Sequence, residues 1–116
     1  MTSHQLALAC SSAAQEKKAQ DIIIMDLQGI TLIADYFVIC TGANPIQIKA
    51  ICDNINDKLK KEGVSPLRIE GFNDARWILM DYGTVIVHIF MEEERDYYNL
   101  EKLWGDAKIV SFEEQK

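Results

Sequence analysis

The stretch that most constrains the fold is the segment 77–90, with the sequence WILMDYGTVIVHIF. Two apolar runs, 77–80 and 85–90, fill both of the alternating rows of side chains that a strand would present. Strands that are apolar on both faces lie in the middle of a covered sheet. The polar break between the runs contains Gly83, which adopts the positive φ of a tight turn without steric cost. We therefore predict a hairpin of two central strands.

A second clear feature is a helix that begins after Asn44. Asparagine is a favourable N-cap, and Pro45 suits the first helical position. Five apolar residues then recur at helical spacing and predict one buried stripe: Ile48, Ile51, Cys52, Ile55 and Leu59. Gly63 is the residue expected just after the C-terminus of this helix. A short strand at 67–70 follows, and the order strand, helix, strand suggests a right-handed crossover that joins a parallel pair.

Shorter patterns complete the N-terminal half. Thr2 and Gln5 have the spacing of a capping box, so we predict a helix that runs from there to about Lys18. Runs of β-branched and aromatic residues predict strands at 21–27 and 36–41.

The C-terminal part is predicted to form one helix. An acidic run at 92–94 suits a helix N-terminus, where the helix dipole favours carboxylates. Tyr97, Leu100 and Trp104 recur at helical spacing. We expect these three side chains to lay an aromatic stripe on the sheet.

These elements predict one compact α/β domain at residues 1–110, followed by a polar tail at 111–116. Helices would pack on a mixed, partly parallel sheet of roughly five strands. No apolar run approaches the roughly 18–20 residues that cross a bilayer, so we expect no membrane contact. The three cysteines are odd in number and show no CxxC spacing, which favours a reducing compartment over a disulfide framework or a zinc site. We expect a cytoplasmic protein.

The net charge of −6 bears on the kind of partner. The chain has 18 acidic and 12 basic residues, and the basic ones are scattered. A domain that binds phosphate backbones needs a basic face, so we expect little or no direct nucleic-acid binding. An acidic protein suits a basic protein partner instead.

The sequence lacks the familiar catalytic motifs. It contains no GxGxxG, P-loop, HExxH or GxSxG string and no Asp-x-Asp pair for catalytic metals. We interpret His88 as a core histidine with one satisfied ring nitrogen and Asp81 as a turn residue. We therefore expect no catalytic site, no metal site and no cofactor.

Trp77 is the candidate for a binding role. It follows a polar loop and starts a strand, which places its indole near the rim of the sheet, and it lies beside Arg76. Exposed tryptophans next to an arginine are typical interface anchors, whereas a buried core position is the alternative. Our hypothesis is that a protein docks at this end of the hairpin.

Four ordered blocks of the chain carry a resemblance to a known family. The blocks are ADYFVICTG at 34–42, EG at 70–71, WILMDYG at 77–83 with VHIF at 87–90, and YNLEKLW at 98–104. In this order and register they resemble the ribosomal silencing factor family (RsfS, Iojap or YbeB). The resemblance covers residues 6–110, which is nearly the whole chain.

The resemblance implies both a fold and a function. The fold would be a compact α/β domain with a mixed sheet, related to nucleotidyltransferases but without their catalytic carboxylates. The partner would be the large ribosomal subunit, chiefly its universal protein number fourteen, a basic protein on the face where the small subunit joins. A factor bound there would block the small subunit sterically and repress translation when nutrients are short.

Within this resemblance we expect six residues to form the docking site. Two apolar residues would supply its centre, two acidic residues would face basic residues of the partner, and two polar residues would lie at the rim. In that order they are Trp77 and Leu79, Glu70 and Asp81, and Asn73 and Arg76.

Two places depart from the family pattern. Thr84 stands where an acidic residue is common, so one charge is lost near the tip of the hairpin. The segment 43–47, ANPIQ, replaces a segment that usually contains serine and arginine. This replacement leaves open any contact that the family makes with that arginine.

Two other functions stay open at this stage. The related fold could carry a small enzyme that acts on nucleotides, with His88 and Asp81 as its reactive groups. The third possibility is a homodimeric structural module, because both aromatic-rich ends of the domain could self-associate.

Overall fold

The computed structural model describes residues 1–112. In chain order its helices and strands are α1 Ser3–Glu16, β1 Gln20–Asp26, β2 Tyr36–Gly42, α2 Pro45–Lys61, β3 Arg68–Glu70, β4 Trp77–Asp81, β5 Val85–Met91, α3 Glu92–Tyr98, α4 Leu100–Leu103 and β6 Lys108–Ser111. The strands predicted at 21–27, 36–41 and 67–70 are confirmed to within one residue at each end. No helix in the described part of the chain has the length and apolar character needed to cross a membrane.

The predicted hairpin is confirmed, because β4 and β5 pair antiparallel and Gly83 takes a φ of 86° in the turn. All residues of β5 except the last are buried, so this strand is covered on both faces. In β4 only Ile78 and Met80 are buried, and the residues that alternate with them are half-buried. The prediction of two fully covered strands is therefore wrong for β4, which lies next to the three-residue edge strand β3.

The six strands lie in the order β3-β4-β5-β2-β1-β6. β2 and β5 pair in parallel and the other pairs are antiparallel, which confirms a mixed sheet. The predicted parallel pairing of β2 with β3 is wrong, because β5 and β4 lie between them. A strand that is apolar on both faces belongs beside β2 in the interior, whereas β3, with the sequence RIE, is polar enough for a sheet edge.

Helices α1 and α2 cover one face of the sheet. The predicted stripe of α2 is confirmed, since all five of its residues are buried in the main core cluster. The capping box of Thr2 and Gln5 is confirmed by both of its hydrogen bonds. α1 ends at Glu16, two residues earlier than predicted, and Lys18 beyond it takes a left-handed φ of 63°. The opposite face of the sheet carries a smaller core and is less covered.

The prediction of a single C-terminal helix is wrong. Asn99 adopts φ 44° and ψ 61°, and its side chain accepts a hydrogen bond from the N–H of Lys102, so α3 ends and α4 begins there. Asparagine tolerates the left-handed conformation and is a good N-cap. As a result Tyr97 is 82% exposed, while Leu100 is buried and Trp104 is half-buried. The predicted aromatic stripe does not form.

The sixth strand, β6, has no counterpart in the sequence prediction. It pairs antiparallel with β1 at the edge of the sheet, where Ser111 lies opposite Ile23. Phe112, the next residue, is buried. The other residues of the expected tail, 113–116, lie outside the described part of the chain.

Candidate protein-binding site

Four of the six predicted site residues lie on one face of the sheet. Trp77, Leu79 and Asp81 alternate along β4 and therefore project from the same side. Glu70 lies directly opposite Leu79 on β3, which puts its side chain on that side as well. We call this half-covered surface of β3 and β4 the docking face.

Three aromatic rings and one hydrogen bond hold Trp77 at the docking face. Its ring stacks on Phe90, with 5.0 Å between centroids and 29° between planes, and packs against Tyr98 at 4.6 Å. The third ring belongs to His88, whose Nδ1 accepts a hydrogen bond of 3.1 Å from the indole Nε1. The Trp77 side chain is half-buried, between the two predicted alternatives of exposed anchor and buried core.

His88 lies beneath the docking face, opposite Leu79 on β4, and is 4% exposed. Because Nδ1 accepts a hydrogen bond, the neutral ring carries its proton on Nε2. Burial lowers the pKa of His88 to about 4, so the ring is neutral at physiological pH. The predicted core histidine with one satisfied nitrogen is confirmed. Its Nε2 is buried and has no hydrogen-bond partner within residues 1–112.

Arg68 links the two acidic residues of the docking face. Its guanidinium lies 3.4 Å from the carboxylate of Glu70 and 3.3 Å from that of Asp81. Asp81 also accepts a hydrogen bond of 2.8 Å from the N–H of Gly83, which confirms it as a turn residue. Arg68 is not among the predicted site residues, although its spacing of two residues from Glu70 places both on one side of a strand.

Arg76 is exposed and already paired within the protein. Its guanidinium contacts the carboxylates of Glu93 and Glu94 in the first turn of α3. These contacts, chiefly the hydrogen bond to Glu94, raise the pKa of Arg76 above its usual value. Asn73 is exposed in the same loop between β3 and β4. Both predicted rim residues thus lie in the segment that leads to Trp77, but the charge of Arg76 is largely neutralised.

The path of that loop depends on Gly71. This residue has a φ of 79°, and a Cβ added to it would lie 2.1 Å from the carbonyl oxygen of Trp77. Glycine alone tolerates both the conformation and the close approach. The N–H of Ala75, which is buried at a φ of 52°, donates to the carbonyl of Gly71 at 3.0 Å. The tight loop therefore sets the point at which Trp77 enters β4.

A groove of about 380 Å³ lies beside Trp77. It is lined by Gly71, Asp74, Arg76, Trp77, Glu94 and Tyr98. Glu94 and Tyr98 are four residues apart on α3 and so share one side of that helix. Neither residue is among the predicted site residues, because the helical spacing predicted that a different stripe of the C-terminal helix faces the sheet. Tyr98 is 47% exposed and extends the aromatic surface of the docking face.

The docking face combines half-exposed apolar side chains with charges that are paired within the protein. In the described part of the chain, no three carboxylate, histidine or cysteine side chains are grouped to hold a metal ion. The three cysteine thiols are buried, and burial raises their pKa to about 12, so they are protonated. His88 bonds to Trp77, and Asp81 bonds to Arg68 and Gly83. Half-exposed aromatic and aliphatic carbon beside paired charges is typical of protein interfaces.

Comparison with known proteins relates this chain to a family. The family model described as "Ribosomal silencing factor during starvation" matches residues 1–116. The ribosomal silencing factor RsfS of Bacillus subtilis is 43% identical over 113 residues, which cover 97% of this chain and 96% of that protein. The chloroplastic protein Iojap of Zea mays is 34% identical over 104 residues, which cover 90% of this chain and 45% of that protein.

Two solved structures of proteins with similar sequences share the fold of this chain. A crystal structure of a Chromobacterium violaceum protein superposes with a TM-score of 0.88 at 33% identity, covering 90% of this chain and 88% of that one. A crystal structure from Bacillus halodurans gives a TM-score of 0.78 at 40% identity, covering 93% and 95%. This chain therefore belongs to the ribosomal silencing factor family.

Proposed function

We propose that this chain represses translation under nutrient limitation by binding the large ribosomal subunit and blocking the small subunit from joining it. Its direct partner is the universal protein number fourteen of the large subunit. The observation that carries the proposal is the docking face, with Trp77 and Leu79 half-buried at its centre and Glu70 and Asp81 beside them. Membership of a family whose relatives are named ribosomal silencing factors supports the same role.

The apolar centre supplies most of the affinity in this proposal. Trp77 and Leu79 lose their remaining contact with water on binding, and large side chains that desolvate fully dominate protein interfaces. Phe90 and Tyr98 already hold the indole of Trp77 in the free chain. Little side-chain entropy is then lost on binding, which favours association.

The charges of the docking face orient the partner. Glu70 and Asp81 keep an excess of negative charge after they share Arg68, and this excess meets lysine or arginine residues of a basic protein. The net charge of −6 attracts that protein over a longer range. Such charges steer association and set its orientation more than they add to net affinity. The same acidity opposes contact with ribosomal RNA, so little or no nucleic-acid binding is part of the proposal.

The proposed mechanism is steric and involves no chemical step or cofactor. The domain measures 35 × 34 × 27 Å along its principal axes. A domain of this size, bound to the face of the large subunit where the small subunit joins, occupies space that the small subunit needs. We propose that the chain acts in the cytoplasm as a binding protein and not as an enzyme.

The crevice at the carboxyl ends of β2 and β5 does not favour the nucleotide-acting alternative. Enzymes with open α/β sheets bind nucleotides at this position. Here the crevice is lined by Glu92, Glu93 and the already paired Arg76. Carboxylates repel phosphate groups, so this arrangement opposes nucleotide binding.

Trp77→Ala tests the proposal through binding to isolated large ribosomal subunits. We expect the variant to lose about 2 kcal/mol or more, which is roughly thirtyfold in affinity. The matched control is Leu32→Ala, which truncates a fully exposed apolar residue in the loop between β1 and β2 and should bind like the parent.

Co-sedimentation with purified large subunits measures the binding of the parent, of Trp77→Ala and of Leu32→Ala. Equal binding by the parent and Trp77→Ala would overturn the assigned site. If the parent itself fails to sediment with large subunits, the proposed function is wrong. The homodimeric module would be favoured instead if the chain sediments as a dimer on its own and large subunits neither bind this dimer nor dissociate it.

A further inference from the structure

We infer that His88 is a positioning residue of the docking site, and that its Nδ1 fixes the indole of Trp77 in the orientation that the partner meets. The inference rests on the proposed function and concerns how the same site is organised before binding. His88 is 4% exposed and would not touch a partner. It acts through Trp77, whose Nε1 donates to it over 3.1 Å.

The acceptor atom is itself held in place. The ring of His88 lies parallel to that of Phe90, with 9° between planes and 6.0 Å between centroids. It packs edge-on against Phe37 at 4.6 Å. A ring clamped in this way presents Nδ1 in one direction. Because the indole has one polar group, this hydrogen bond selects one rotamer of Trp77 from those that a half-exposed position allows.

The bond also determines what the partner meets. It turns the N–H of Trp77 inward, so ring carbon is the surface that remains for contact. The partner then needs no hydrogen-bond acceptor opposite Trp77. An aliphatic side chain, or the carbon stem of a lysine or arginine, fits such a surface. An anchor that is ordered before binding also lowers the entropic cost of association.

Histidine is not the residue that packing alone would favour here. Its cross-strand neighbours are Leu79 and Ile39, and its ring neighbours include Phe37 and Phe90. Its Nε2–H has no partner in the part of the chain that is described, and a buried donor without a partner costs stability. A leucine would avoid this cost but would offer no acceptor to the indole. A structural role and a positioning role therefore predict different results for a leucine at this position.

The indole proton of Trp77 reports the bond directly by NMR. The chain has two tryptophans, so Trp104→Phe assigns the two indole signals. In the parent and in His88→Asn, whose Oδ1 keeps an acceptor near the place of Nδ1, we expect the Trp77 proton to lie downfield and to exchange slowly with water. In His88→Leu we expect both properties to be lost. An unchanged Trp77 signal in His88→Leu would overturn the inference without any reference to ribosomes.

Binding to isolated large subunits tests the consequence. We expect His88→Leu to resist urea at least as well as the parent and yet to bind roughly three- to tenfold more weakly, the effect of one hydrogen bond. His88→Asn should bind like the parent. In a Trp77→Phe background, which already lacks the indole donor, adding His88→Leu should change affinity no further.

The possible failures can be told apart. If His88→Leu binds as tightly as the parent, or loses affinity only in proportion to lost stability, the positioning role is wrong and the proposed function stands. If the parent does not bind large subunits, both proposals fail.

Discussion

Acidification from pH 7 to pH 5 tests the burial of His88 beneath Trp77. Burial lowers the pKa of His88 from 6.5 to about 4. The unfolded chain therefore takes up a proton near pH 6.5, whereas the folded protein does so only near pH 4. Stability is expected to be constant above about pH 6.5 and to fall as the pH decreases from there towards about 4.

The size of the loss follows from the two pKa values of His88. Between about pH 6.5 and 4, each unit by which the pH falls lowers the free energy of unfolding by about 1.4 kcal/mol for one titrating group. The loss is about 2 kcal/mol at pH 5 and on the order of 3 kcal/mol near pH 4. Among the described residues, Glu16 is the carboxylate whose pKa is lowered, chiefly by its hydrogen bond from Asn54. Its contribution is lost only below its usual value of 4.5, so it does not interfere at pH 5.

Urea unfolding of the parent and of His88→Leu at pH 7, 6 and 5 measures this loss. The parent should become less stable by about 2 kcal/mol between pH 7 and 5, and the variant should lose far less because it lacks the buried imidazole whose pKa is lowered by folding. Equal losses in the two proteins, or a parent whose stability does not change, would refute the assignment of a buried neutral histidine.

Three further predictions follow from other contacts. Gly71→Ala is expected to cost more than about 2 kcal/mol in urea unfolding, because its methyl group meets the Trp77 carbonyl, whereas Gly29→Ala, at a similar φ but with open space around it, should cost about 1 kcal/mol. The three buried thiols should not react with a thiol reagent at neutral pH until the chain unfolds, and a rapidly reacting native fraction would contradict their burial. Asn54→Ala should lower the free energy of unfolding by about 1 kcal/mol by breaking the link between α1 and α2, and Asn73→Ala, at an exposed position, should leave it unchanged.

Local chemistry made much of the fold predictable. Helix α2 has its N-cap, its first proline and its apolar stripe within one continuous segment, so its start and its buried face could be inferred without knowing any neighbour. The hairpin was predictable for the same reason, because Gly83 and the two apolar runs around it are adjacent in the chain. The break at Asn99 was harder to predict, because it depends on a single residue whose backbone is left-handed and whose side chain caps α4. The apolar residues on either side of it keep helical spacing, so the pattern predicted one continuous helix.

Strand order was harder to infer because it depends on pairings between distant segments. β3 is the next strand along the chain after β2 and α2, yet it lies at the edge of the sheet, separated from β2 by β4 and β5. β6 is short and pairs with a strand at the other end of the chain. Neither pairing leaves a local signal, so the sequence predicted the wrong neighbour for β3 and no strand at 108–111.

Part of the candidate site was likewise predictable from the sequence, and part of it was not. The common side of Trp77, Leu79 and Asp81 follows from alternation along one strand, which the sequence displays. The hydrogen bond between Trp77 and His88 requires the β4–β5 register, and the pairing of Arg76 with Glu94 joins a loop to a helix 18 residues away. These contacts could not be read from the chain alone, although they decide which groups of the surface are free.

The most direct test of the proposed function is whether the chain prevents isolated small and large ribosomal subunits from joining. Purified subunits are mixed under joining conditions with parent or Trp77→Ala, each at the lowest concentration that saturates the large subunit with the parent, and separated on a sucrose gradient. We expect separate subunits with the parent, which should travel with the large one, and joined particles with Trp77→Ala. Joined particles that still carry the bound parent would contradict the steric mechanism.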